Sequence, residues 1–241
     1  MTGVCTAQRV LVLSDVHAPL QHEPSLKIAE QFMKDWKPTR VVALGDWIDA
    51  SGYSSFASEE EFDQLIEYQE GNDLLDRFLG PGDYYLEGNH EQRWRRPGNL
   101  PKRYRRLLDP RYWLHIKERK LKWIPYSRHS VLRIGKLAFV HGFATNKYAS
   151  ASEAQVFGNV VHGHTHRIQR FTVPSGGETA TGYNIGCMCR LDPEYASTYL
   201  GAQAWQHGFG FAYIQKSGNF DFTQVRIGGK KVFINGKEYT A

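Results

Sequence analysis

Short apolar runs, each breaking into a cluster of polar residues, set the rhythm of the first part of the chain. Residues 9–13 are a β-branched and leucine-rich run that ends at Ser14-Asp15-Val16-His17, the pattern of a strand entering a loop. Pro24 opens a helical pattern in which Leu26, Ile28, Ala29, Phe32, Met33 and Trp36 share one broad face, and Pro38 closes it. Residues 39–44 predict a second buried strand, running into Gly45-Asp46-Trp47-Ile48-Asp49. Ser58, with Glu61 three residues on, predicts a capped helix start, after which Phe62, Leu65, Ile66, Gln69 and Leu74 recur at helical spacing as far as Phe78. Residues 83–86 predict a third strand, running into Glu87-Gly88-Asn89-His90-Glu91. This βαβαβ order predicts a parallel sheet whose polar residues emerge at the carboxyl ends of its strands.

The second half changes character. Residues 130–134 and 136–140 predict a hairpin across Gly135, followed by a short helix from Ser152 and a strand at 159–161. Short strands are expected at 168–173, 183–189, 209–215 and 222–227, and a last hairpin turns on Asn235-Gly236. A length of 241 residues without repeats predicts one domain over 1–241, α/β in class. Its composition, 41% hydrophobic and 23% charged, excludes disorder, and the apolar runs are far shorter than the ~18 residues a membrane span needs. The first residues lack a signal-peptide pattern, and three cysteines without a Cys-x-x-Cys pair read as reduced core residues, so a cytoplasmic protein is expected.

Charge adds an asymmetry. From residue 59 to 91 there are eleven acidic residues and one basic one, whereas from 93 to 128 there are thirteen basic and two acidic. The second stretch is read as a basic helical insertion at about 93–128. Arg interleaved with Trp94 and Tyr104 suits phosphate contacts and base stacking, so single-stranded nucleic acid is a candidate partner. The competing reading is a solvated face that pairs with the acidic helix.

Five predicted strand ends deliver metal-type side chains: Asp15 and His17, Asp46 and Asp49, Asn89 and His90, His141, then His164 and His166. Residues two apart on an extended chain point the same way, which would bring each Asp-x-His or His-x-His pair together. Mixed carboxylates and imidazoles suit Mn, Fe or Zn, and so many donors suit two ions sharing a carboxylate rather than one. His162, beside the last pair, is expected to be structural.

The ordered series Asp15-Val16-His17, Gly45-Asp46-Trp47-Ile48-Asp49, Gly88-Asn89-His90-Glu91, His141-Gly142 and Gly163-His164-Thr165-His166 resembles the calcineurin-like metallophosphoesterase family. The resemblance implies a four-layer αββα sandwich, two mixed β-sheets flanked by helices, with two divalent metal ions at the strand ends. Mn is the first candidate, and Fe, Zn and Ni are alternatives. By position, Asp15, His17 and His166 would hold one ion, Asn89, His141 and His164 the other, and Asp46 would bridge. His90 matches the catalytic histidine, and Asp49 the carboxylate that orients it. Arg93, Arg95 and Arg96, with Asn89, are the candidate contacts to a phosphoester substrate. The phosphoprotein branch usually has Arg-Gly after its second Asp, where this chain has Ala50-Ser51. The expectation is therefore a phosphodiesterase, with nucleic acid among its candidate substrates and a nuclease-like activity in that case. The runner-up is a phosphomonoesterase of a small molecule or phosphoprotein, and third is a non-catalytic binding protein on the same fold.

Overall fold

Residues 10–13 are apolar throughout because their strand is covered on both faces. Leu11 and Leu13 enter one apolar cluster and Val10 and Val12 another, and Val41 and Ala43 divide from Val42 in the same way. Burial on two sides calls for a continuous apolar run rather than an alternating one. The computed structural model describes residues 7–54, 62–95, 107–193 and 200–241. Its strands are β1 (Gln8–Leu13), β2 (Arg40–Ala43), β3 (Tyr84–Leu86), β4 (Lys122–Ile124), β5 (Leu132–Ile134), β6 (Leu137–Phe139), β7 (Val160–His162), β8 (Ile168–Ser175), β9 (Glu178–Ile185), β10 (Gly208–Ile214), β11 (Phe220–Arg226), β12 (Lys231–Ile234) and β13 (Lys237–Thr240). Its α-helices are α1 (Glu23–Trp36), α2 (Gln64–Phe78), α3 (Asn89–Gln92), α4 (Pro110–Trp113) and α5 (Ala149–Phe157).

One mixed sheet has the order β11-β10-β1-β2-β3-β4, and the other β5-β6-β7-β9-β8. The first carries the expected parallel run β1-β2-β3. Val10, Val12, Val42, Leu86 and Ile214 of the first sheet share a cluster with Leu132, Leu137, Phe139, Val161 and Ile185 of the second, so the sheets pack face to face. The outer face of the first is covered by α1, α2 and the β12-β13 hairpin, and that of the second by α5. This is the four-layer αββα arrangement. Among the described residues no helix is long and apolar enough to cross a membrane.

Three expectations change. Helix α2 takes Asp63 as its N-cap, the carboxylate accepting from Leu65 N, while Ser58 lies outside the described residues. Its buried face is Glu67, Tyr68, Gly71, Leu74, Leu75 and Phe78, leaving Leu65 and Ile66 exposed. The Glu67 carboxylate decides that face, because it accepts from the backbone N–H groups of Ala50 and Ser51. The segment 93–128 is not a helical insertion in its described part. It holds a 3-10 turn at Arg93–Arg95, the single turn α4, and β4, which extends the sheet in parallel with β3. Lastly, the strand expected at 183–189 stops at Ile185, where Gly186 turns with φ 78° and the Cys-Met-Cys run leaves the sheet.

Candidate metal centre

Backbone hydrogen bonds tie the loop after β1 to the loop after β2, and the loop after β6 to the loop after β7, before any side chain is considered. Asp15 N donates to Gly45 O, His17 N to Asp46 O, and Gly163 N to His141 O. Asp15, His17, Asp46, His164 and His166 all have positive φ, from 48° to 69°. The paired ligand-type residues therefore do not converge through strand alternation, as the two-residue spacing suggested. They lie beyond the strand ends in left-handed backbone, a costly conformation for residues with a Cβ and one that clusters at functional sites.

What holds these loops is a buried carboxylate whose motif position gave no hint of its role. Glu91 accepts from the N–H groups of Asp46, Trp47, Ile48 and Gly88 and from the Tyr85 hydroxyl. Two glycines complete the fit. A Cβ on Gly88 would fall 2.1 Å from an Asp46 carboxylate oxygen, and one on Gly163 would fall 2.2 Å from Asp15 Oδ2. Gly163→Ala is expected to cost ~1–3 kcal/mol, the range for overpacking a well-packed site. Urea unfolding measures it, and an unchanged midpoint would mean that the loops yield freely.

The polar atoms so delivered face one another closely. Asp46 Oδ2 lies 3.2 Å from His141 Nε2 and 3.8 Å from His17 Nε2. Asp15 Oδ1 is 3.2 Å from His166 Nε2, which is itself 3.2 Å from His17 Nε2. Asn89 Oδ1 is 2.9 Å from His141 Nε2. The far ring nitrogens have partners: His17 Nδ1 meets Asp49 Oδ1 at 2.8 Å, and His141 Nδ1 meets Leu44 O at 2.9 Å. Those acceptors hold the Nδ1 side of each ring and turn Nε2 inward, the orientation of metal-ligating histidines. Donor atoms of Asp15, His17 and Asp46 lie within 4.8 Å of one another, as do those of Asp46, His141 and His164, and Asp46 belongs to both groups. An inward-facing set of carboxylate, amide and imidazole acceptors fits divalent cations by its chemistry.

Charges within the cluster offset one another. Burial opposes ionisation of Asp46, yet the surrounding His141, His90 and His17 hold its carboxyl well below the usual carboxylate range. Burial also opposes ionisation of Asp15, but His166 brings it down to about 2. Burial disfavours charge on His141, but Asp46 beside it raises the ring to about 9. Burial and the neighbouring His141 lower His164 to about 4. His162 is lowered to about 3 by burial and bonds Ser150 Oγ and Gly163 O, the structural role expected of it.

Around this cluster the other candidates separate. His90 Nδ1 lies 2.6 Å from the Asp49 carbonyl and 3.3 Å from its carboxylate, which is closer to His17. Arg93 donates to Asp49 O at 3.0 Å and approaches His90 Nε2 at 3.0 Å. Arg95 does not join it: its guanidinium meets the buried Glu87 carboxylate at 2.8 Å and lies over the Trp94 ring. Arg96 lies outside the described residues. Farther along the basic stretch, Arg119 pairs with Asp76 and Asn72 of α2, as the solvated-face reading expects, and Arg111 pairs with Asp109.

A family model described as calcineurin-like phosphoesterase matches residues 8–168. The chain is 30% identical to the Gene 54 protein of Mycobacterium phage D29 over 229 residues, covering 85% of this chain and 88% of that protein. A metallophosphoesterase from Sphaerobacter thermophilus superposes with a TM-score of 0.47 at 16% identity, covering 92% of this chain and 88% of its own. Vacuolar protein sorting 29 from Cryptosporidium parvum gives 0.48 at 15%, covering 98% and 96%.

Proposed function

We propose, because this chain belongs to the calcineurin-like phosphoesterase family, that it hydrolyses phosphodiesters with two divalent ions, manganese first among them. The observation that carries this reading is the pair of donor groups that share Asp46. Asp15, His17 and His166 would hold one ion, Asn89, His141 and His164 the other, with Asp46 common to both. Bound there, the ions would supply positive charge to the phosphoryl oxygens and a water acidic enough to attack at neutral pH.

The chain's own residues supply the rest. Arg93 is the guanidinium beside His90, and a phosphate oxygen that draws it away would free His90 Nε2. Burial and Arg93 oppose a charge on His90, but Asp46 and Asp49 outweigh them, and its pKa lies above the ordinary imidazole value. A protonated His90 can then pass its Nε2 proton to the leaving oxygen while the Asp49 carbonyl holds Nδ1. A diester brings one negative charge to the Arg93 guanidinium, where a monoester brings about two.

The test is turnover with Mn on bis-p-nitrophenyl phosphate and p-nitrophenyl phosphate side by side. Faster cleavage of the diester is expected, and a preference for the monoester would reverse the substrate reading. The nucleic-acid version has its own test. If Arg103, Arg105 and Arg106, which lie outside the described residues, track a polyanion, binding to single-stranded DNA should weaken steeply with salt, and replacing all three by Gln should flatten the slope. A salt-independent affinity would leave small diesters as the substrates.

A further inference from the structure

We propose that Cys189 is a positioning residue for the metal centre: its sulfur accepts the Nδ1 proton of His166 and so turns His166 Nε2 toward Asp15 and His17. The proposal rests on the dinuclear reading above and goes beyond it, since the family motifs end at His166 and assign nothing to the Cys-Met-Cys run. Cys189 Sγ lies 3.8 Å from His166 Nδ1, within sulfur hydrogen-bond range, while Nε2 of the same ring is 3.2 Å from Asp15 Oδ1 and from His17 Nε2. A histidine that ligates through one nitrogen keeps its proton on the other, and that N–H needs an acceptor when buried. His17 gives its proton to a carboxylate and His141 to a carbonyl. For His166 the partner is the thiol.

The sulfur is held in place from several sides. Cys189 is 1% exposed. The backbone before it is fixed by Met188 N donating to Asp15 O and by Cys187 N donating to Gln206 O. The backbone after it is fixed by Arg190 N donating to Leu20 O. The Cys189 carbonyl lies 2.8 Å from His207 Nε2, and the Trp205 ring packs on His166 with centroids 4.3 Å apart. The early departure of this run from the sheet, after Gly186, is what carries Cys189 behind the ligand ring rather than along the strand. Sulfur is a weak acceptor, so a stronger acceptor of slightly longer reach should serve at least as well.

That gives a test in which packing and hydrogen bonding predict opposite orders. Titration of metal-free protein with Mn, followed by calorimetry, should show two ions in the wild type. Cys189→Ala should weaken one of them ~10- to 100-fold, the usual cost of removing a partner behind a ligand. Cys189→Asn, which offers a carboxamide oxygen to Nδ1, should bring that affinity back to within a few-fold of wild type. Cys187→Ala, which removes a thiol beside Cys189 without touching His166, should change the affinity far less than Cys189→Ala does. The role is overturned if Cys189→Ala binds both ions like wild type, if Cys189→Asn binds worse than Cys189→Ala, or if Cys187→Ala matches the loss. A wild type that fails to take up two ions would instead count against the dinuclear reading itself. Should the alanine variant not fold, Cys189→Val, which fills the space without offering an acceptor, should show the same loss, and wild-type affinity for both ions in that variant would overturn the role.

Discussion

Asp46→Asn is expected to strip both ions from the site together, lowering each affinity by at least ~100-fold. The reason is its position in two donor groups at once, with Oδ2 3.2 Å from His141 Nε2 and 3.8 Å from His17 Nε2. An amide keeps the shape but removes the negative charge that two neighbouring cations require, and leaves their mutual repulsion uncompensated. Its other oxygen accepts from His90 N, so the same change loosens the loop that carries Asn89. Metal analysis after Mn loading and gel filtration measures the outcome. A full pair of ions in Asp46→Asn would end the bridging assignment.

His90→Asn should do the reverse, keeping the ions and losing ~10²- to 10⁴-fold in turnover, the range of a positioned proton donor. His90 Nε2 is 3.8 Å from Asp46 and faces Arg93 at 3.0 Å, on the side of the cluster where the guanidinium lies. Asp49→Asn is the informative companion. Its carboxylate is nearer to His17 Nδ1 than to His90 Nδ1, so the variant should lose metal as well as turnover. Metal content and single-turnover rates on a small diester separate the two effects. If His90→Asn emptied the site, His90 would have to be counted among the ligands.

Asp49 shows where sequence legibility ends. The motif residues, their order and their place at strand ends could be read directly, because short apolar runs mark strands and polar clusters mark the loops that leave them. The four layers came from the resemblance those motifs carry. The partners could not be read. Glu67 reaches Ala50 from a helix 17 residues away in the chain, and Glu91 reaches Trp47 from 44 residues away. Such contacts leave no periodic trace. The left-handed backbone at Asp15 and His164 is equally silent, since neither is glycine. Arg95 shows the same limit: a cation beside a metal-type motif suggests a substrate contact, and nothing in the sequence points to the buried Glu87 carboxylate that it meets. Strand β4, three residues long and holding a lysine, is too short for any alternation to register.

The carboxylate of Glu91, with five protein donors converging on it, bears on how the site behaves toward different metals. The loops are assembled by protein carboxylates and backbone amides, and the sheets beneath them have an apolar core, so the chain is expected to fold without an ion. Uptake and loss of metal become local exchanges on a finished scaffold, unlike domains in which the metal is the core. A cavity built this way fixes donor type, spacing and direction before an ion arrives. Selection among first-row metals then rests on that fit together with their relative availability.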